Sequence, residues 1–266
     1  MNSHRPLFAA QLWQDFYRSA ITHTMRKATS KLLLMAAVLI LAPGARAATP
    51  SLDLVIAVDL SRSVSVKGPD GKTEFQKNVD GVTKVLAQLP AGARVSIIGI
   101  TDHSFTQPYI LLSATLSQDP GFFGERLAAA RVQTIRVWQK RAAKSQPRFP
   151  GTDIIGALFL ASHIFQQVPE LTRELVIFSD MRNHAAGFNQ ESNSRHPRAD
   201  VYSNELDIGR PNLKDVKVYA VGVDGAGEEL DTWTGLQMFW SAYLSKCGAE
   251  VKSFSAIRDV YVAAFH

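Results

Sequence analysis

The sequence predicts an α/β sandwich: a Rossmann-like, doubly wound fold with a mostly parallel central sheet flanked by helices. Three observations predict it. Short continuous apolar runs such as Leu54 to Val58 read as strands covered on both faces. They alternate with stretches of helical periodicity such as Glu74 to Leu89. Two of the strands run straight into loops rich in oxygen-bearing side chains, and open parallel sheets bind ligands at that edge, where the strand order reverses.

Each element has its own warrant. Leu54 to Val58 is the first strand. Glu74 to Leu89 places Phe75, Val79, Val82, Leu86 and Leu89 on one helical stripe, which Pro90 closes. Arg94 to Ile100 is a second strand, and Tyr109 to Leu116 a third, at an edge of the sheet. Phe122 to Trp138 is helical. Asp153 to Phe165 is a helix with Ile154, Leu158, Ala161 and Phe165 on one face. Glu174 to Ser179 and Val216 to Val223 are strands. Leu230 to Lys246 is a helix with Gly248 in the position a C-terminal cap prefers. Val251 to Phe254 is a last strand, after which Ser255 is expected to cap a final helix.

The first 47 residues stand apart from this pattern. Arg26, Lys27 and Lys31 precede the apolar run at residues 32–42, Pro43-Gly44 breaks it, and Ala45-Arg46-Ala47 forms an A-x-A cleavage pattern. That is the layout of a secretory leader, cut after Ala47. Eleven apolar residues are too few to cross a bilayer, which takes roughly 20. Met25 gives a leader of ordinary length and is read as the true start; an unusually long n-region is the alternative. Residues 48–266 then form one domain, exported to the periplasm or the cell exterior, with no stable membrane span in the mature chain.

Charge and cysteine content narrow the function. The chain carries 29 basic and 24 acidic residues, a net +5. Six of the basic residues and one acid lie in the leader, so the remainder is balanced at 23 of each. Overall charge therefore gives no reason to expect nucleic-acid binding. The single cysteine, Cys247, sits in an apolar helical stretch and reads as a buried thiol, with intermolecular pairing as the alternative.

The chemistry collects in three segments. Asp59, Ser61 and Ser63 leave the end of the first strand as D-x-S-x-S. One carboxylate and two hydroxyls are hard oxygen ligands suited to Mg²⁺ or Mn²⁺. Such a run is also compatible with a plain turn. Asp180 ends the strand V-I-F-S-D, and Thr152 stands at the start of a helix in P-G-T-D-I-I-G-A-L. A parallel sheet brings all three to one edge.

Taken together and in this order, DLSRS, PGTDIIGAL and VIFSD resemble the von Willebrand factor A (VWA) domain across about residues 50–266. The resemblance implies a metal-ion-dependent adhesion site. Ser61 and Ser63 would ligate Mg²⁺ (or Mn²⁺) through hydroxyls, Thr152 directly or through water, and Asp59 and Asp180 directly or through water while holding the other ligands in place. One coordination position would stay open for a carboxylate from a partner protein. Two departures stand out. Met181 follows Asp180 where the family often has Gly, which suggests a bulkier rim, and the loop reads Pro150-Gly151-Thr152 where the family often has GGT. Asp153 either adds a carboxylate beside Thr152 or, the preferred reading, is a favourable charge in the first turn of its helix.

Two further regions could shape that edge. Arg136, Lys140, Arg141, Lys144 and Arg148, with Trp138 among them, form either a positive rim that attracts an acidic partner or a solvated helix face. Residues 181–212 form a long polar segment; His184 and His196 within it read as surface histidines, since two His at that spacing make a poor zinc signature. Three functions compete. The first is a binding module that grips a partner through a metal bridge in a cell-envelope or secretion-type assembly. The second is a structural subunit indifferent to metal. The third is a metal-dependent hydrolase, weakened by the lack of a G-x-S-x-G elbow, HExxH or P-loop. The run Asp102-His103-Ser104 has triad residue types but reads as a loop.

Overall fold

The computed structural model describes residues 52–168, 171–185, 188–190, 209–223 and 230–260. The leader, His196, most of the segment 181–212 and the last six residues lie outside this set. The elements are β1 (Leu52–Asp59), a 3₁₀ turn (Arg62–Ser65), α1 (Glu74–Leu86), β2 (Arg94–Ile100), β3 (Tyr109–Thr115), α2 (Glu125–Ala142), α3 (Ile154–Phe165), β4 (Thr172–Phe178), β5 (His184–Ala185), β6 (Phe188–Asn189), β7 (Val216–Val221), α4 (Leu230–Lys246) and β8 (Glu250–Ser255).

The main sheet runs β3-β2-β1-β4-β7-β8. All neighbours are parallel except β3, which pairs antiparallel with β2 at the edge. The chain winds outward from β1 through β2 to β3, then returns to the other side of β1 as β4. The strand order thus reverses between β1 and β4, which is where a doubly wound sheet opens a crevice at its carboxyl edge.

Side chains alternate across the sheet, so each face has its own core. Val55, Ala57, Leu175, Ile177, Val218 and Ala220 point into the layer of α3 and α4. Leu54, Ile56, Val58, Val176 and Phe178 point into the layer of α1 and α2. Every residue of β1 is buried, as its unbroken apolar run requires.

Helix ends follow local chemistry. Thr73 and Gln76 form a reciprocal capping box at the start of α1, with backbone-to-side-chain distances of 2.8 and 3.1 Å. Gly248, at φ 85°, closes α4 as expected, and the Gly248 N–H donates to the Ser245 carbonyl. Cys247 is a buried free thiol whose pKa burial pushes up to about 11.

Four readings need correction. Helix α2 starts at Glu125, leaving Phe122 and Phe123 exposed in the preceding turn, and runs on to Ala142. Trp138 belongs to the core beneath α2, fully buried, so it forms no part of a rim. Leu89 lies in a turn beyond α1 rather than in the helix. Ser255 ends β8 and accepts from the Ile257 N–H in a local turn; residues 256–260 are not helical. Among the described residues, no helix is long and apolar enough to cross a membrane.

Candidate metal centre

The carboxyl edge of β1 and β4 gathers the oxygen-bearing side chains. Asp59, the last residue of β1, is fully buried. Its Oδ1 accepts from the Ser61 N–H at 2.8 Å, and its Oδ2 accepts from the Ser179 hydroxyl at 2.7 Å. Ser61 is buried, Ser63 is exposed, and their hydroxyl oxygens lie 2.8 Å apart. Asp180 is half-buried; its Oδ1 accepts from the Arg182 N–H at 3.0 Å and lies 3.5 Å from the Ser179 hydroxyl. Ser179 therefore sits between the two predicted carboxylates and touches both.

The Thr152 loop is stitched to the same edge. Ser61 pairs with Phe149, the Arg62 N–H donates to the Phe149 carbonyl, and the Arg148 and Phe149 N–H groups donate to the Leu60 carbonyl. Thr152, three residues on, is buried and exchanges both backbone hydrogen bonds with His184 at 2.8 and 2.9 Å. Gly151 is demanded by close approach: a Cβ there would stand 2.5 Å from the His184 carbonyl oxygen. His184 thus serves the loop through its backbone, and no metal role is needed to place it.

Asp153 is the N-cap of α3, one position before the first turn in which the sequence reading places its charge. Its Oδ1 accepts from the Gly156 N–H at 2.7 Å and its Oδ2 from the Ser104 N–H at 3.0 Å. Ser104 in turn spends its buried hydroxyl on the Thr101 backbone, so Asp102-His103-Ser104 is a loop and its Ser and His do not pair.

Met181 overturns an expectation. Its side chain is fully buried among the residues of the α3/α4 layer, so it adds no bulk to the rim. The backbone explains why this position favours Gly: Met181 has φ 65°, in the left-handed region that costs most residues roughly 1–2 kcal/mol. Burial of the side chain offsets that strain, as do the bonds from the Met181 N–H to the Ser179 hydroxyl (3.1 Å) and from the Trp240 indole N–H to the Met181 carbonyl (2.7 Å).

Two contributors were missed from sequence. Ser179 is one; its signal was its place beside Asp180 at the end of an apolar strand. Asn183 is the other. It is buried, and its side-chain oxygen accepts from the Ile154 and Ile155 N–H groups at 2.9 and 3.3 Å, completing the cap of α3. Nothing in its sequence context marks it, because its partners lie about 30 residues away.

The electrostatics fit a cation. Burial pushes the Asp59 carboxyl up to about 7, and the neighbouring Asp180 adds to the rise; hydrogen bonds from Ser179 and Ser61 pull the other way. Among the described residues, no lysine or arginine is a leading cause of its shift. A buried carboxylate facing a second carboxylate, beside two hydroxyls, has the hard oxygen donors that Mg²⁺ or Mn²⁺ take. Among the described residues there is no cluster of three or more His, Cys, Asp or Glu, so an ion here would rest on hydroxyls as much as on carboxylates.

No protein-family model and no curated protein matches the chain. Solved structures do. The PilB minor pilin from Streptococcus sanguinis aligns at 13% identity and TM-score 0.48, over 79% of this chain and 58% of that one. A von Willebrand factor type A structure from Catenulispora acidiphila aligns at 14% identity and TM-score 0.44, over 77% and 39%. Proximal thread matrix protein 1 from the mussel byssus, solved with a zinc-occupied MIDAS motif, aligns at 13% identity and TM-score 0.40, over 78% and 41%. At such identities and TM-scores, the chain's own topology and side-chain geometry are the ground for assigning its fold and its site.

Proposed function

We propose that this chain is an exported VWA-type protein that binds a partner protein through a divalent cation, Mg²⁺ or Mn²⁺, in a cell-envelope or secretion-type assembly. The observation that carries the reading is Asp59: a fully buried carboxylate, pushed up by burial and by Asp180, with hydroxyl and amide donors and, among the described residues, no cation paired with it. A bound divalent ion would supply the missing positive charge. Ser61 and Ser63 would hold it through hydroxyls, with Thr152 and Asp180 completing the set directly or through water.

The role proposed is binding rather than catalysis. Two carboxylates balance a divalent ion formally, but where they act through water its direct ligands are neutral hydroxyls and waters, so it gains from one carboxylate bound directly. An aspartate or glutamate of a partner protein supplies that group and takes the open position.

Calorimetric titration of Mg²⁺ and Mn²⁺ into the purified protein, beside Asp59→Ala, tests the site. Saturable binding that disappears in a folded Asp59→Ala is the expected result. Unfolding of that variant, or equal binding in both proteins, would count against it. Partner capture that survives EDTA would favour a metal-independent structural subunit.

A further inference from the structure

We infer that the partner segment reaching the metal is acidic and lies in the groove between α1 and α2. The inference rests on the metal-bridge reading for one end of the segment and adds the partner's chemistry and its path.

The groove has a volume of about 640 Å³; Phe75, Val79, Ala142 and Pro147 give it an apolar lining, and its charged lining residues, Lys72 and Asp80, pair with each other at 2.7 Å. That volume is the size of a ligand pocket. Both of its walls lead to the metal loop. On one side Thr73, at the head of α1, pairs with Lys67, two residues past the 3₁₀ turn that contains Ser63. On the other side Pro147 leads into Arg148 and Phe149, whose N–H groups bind the Leu60 carbonyl.

Charge says what fits there. Between Glu125 and Asp153 the chain carries seven lysines and arginines and no carboxylate. Arg136 and Lys140 share an exposed stripe of α2 with the groove-lining Gln139 and Ala143. Arg148 lies beyond the groove's end, and the Arg62 Nε donates to its carbonyl at 3.3 Å. None of Arg62, Arg136, Lys140 and Arg148 forms an ion pair among the described residues. Other cations are divided: Lys72 pairs with Asp80, Lys77 with Glu74, Lys84 with Asp259 and Arg126 with Asp119, whereas Lys67, Arg141 and Lys144 also form no ion pair among the described residues. Four unneutralised cations along one path, beginning at the metal loop, complement a run of aspartate and glutamate. The apolar lining between them takes one apolar side chain of the same segment.

Selection of phage-displayed random peptides on the protein in Mg²⁺ tests this. The recovered peptides are then measured against R136E/K140E/R148E, against Ala143→Trp, which fills the groove from an exposed position, and against Asp59→Ala. The milder R136Q/K140Q/R148Q guards against misfolding by charge reversal. Peptides enriched in Asp and Glu are expected, with affinity falling at least about tenfold in the reversal variant and in Ala143→Trp and weakening with NaCl. Absence of enrichment, peptides without acidic bias, or affinity untouched by both groove variants would overturn the inference. The two readings fail differently. Binding lost in Asp59→Ala but kept in the groove variants would leave the metal bridge standing and remove the groove. Binding kept in Asp59→Ala and in EDTA but lost in the groove variants would do the reverse.

Discussion

Strand β1 carries a carboxylate near each end, and β4 has Glu174 near its start and Asp180 two residues past its end; the two edges of the sheet hold these acids differently. At the amino edge, Asp53 and Glu174 are fully buried. Asp53 stands in register with Arg94 on β2 and Arg173 on β4. The Arg94 Nε lies 3.6 Å from its Oδ1; burial raises the Asp53 pKa, and both arginines pull it back. Glu174 is in register with Lys217 of β7, whose Nζ is 3.8 Å away. At the carboxyl edge Asp59 is equally buried, yet it is held by the Ser61 amide and the Ser179 hydroxyl, and its nearest charge is another carboxylate. Burial alone therefore does not mark a functional acid. The amino-edge acids take a cation from the next strand, whereas among the described residues no cation pairs with Asp59 at the carboxyl edge.

The largest expected effect comes from breaking the amino-edge arrangement. Arg94→Met leaves Asp53 buried without its nearest cation; loss of one partner from a buried pair costs about 3–5 kcal/mol, which is the upper bound for this pair, 3.6 Å apart without a hydrogen bond. Urea unfolding should show that loss while Mg²⁺ titration of the folded variant stays unchanged. Removing both charges in Asp53→Leu/Arg94→Met should recover much of the stability. A loss below about 1 kcal/mol in Arg94→Met would show that Arg173 neutralises Asp53 by itself.

The pH dependence of stability sharpens the contrast at the other edge. The Asp59 carboxyl is pushed up to about 7, from an ordinary value near 4 in the unfolded chain. Between those two values the folded protein binds a proton that the unfolded chain has released. In EDTA, stability should therefore fall as pH rises from about 4 to about 7, and this contribution should be flat outside that window. Asp53 and Asp153 are also raised by burial, so the difference between wild type and Asp59→Asn isolates Asp59. Melting temperatures of the two proteins should converge near pH 4 and separate towards pH 7, with wild type the lower. Added Mg²⁺ should then stabilise wild type more at pH 7.5 than at pH 5. Parallel curves for the two proteins would mean that Asp59 carries no unmet charge.

Most of the fold was legible because it is written in periodicity. The apolar run of β1, the stripe of α1 and the glycine after α4 each report local physics. Asp59, Ser61, Ser63, Thr152 and Asp180 were legible as residue types at strand and helix ends, and the sheet places them at one edge. What stayed hidden depends on contacts distant in sequence. Met181 reads as a bulky rim residue until the Trp240 indole, 59 positions away, is seen bound to its carbonyl. Asn183 reads as an ordinary loop residue until it is seen on the first amides of α3. The sequence reading starts α2 at Phe122, whereas Phe122 and Phe123 are exposed in the turn before Glu125.

The smallest effect asks how Asp59 is aimed. The Ser179 hydroxyl donates to Asp59 Oδ2 at 2.7 Å and accepts from the Met181 N–H at 3.1 Å, so a single oxygen ties the carboxylate of β1 to the left-handed turn after β4. Ser179→Ala removes both bonds and leaves a buried amide and a buried carboxylate oxygen short of a partner, a loss of about 1–3 kcal/mol in the unfolding free energy. Groups that orient a metal ligand without touching the ion typically contribute about 10–100-fold in affinity. Calorimetry on Ser179→Ala should therefore give weakened Mg²⁺ binding rather than the complete loss expected of Asp59→Ala. Unchanged affinity would mean that the Ser61 amide alone fixes the carboxylate. Complete loss would mean that the turn carrying Asp180 moves with Ser179, and that both carboxylates are placed through the one hydroxyl.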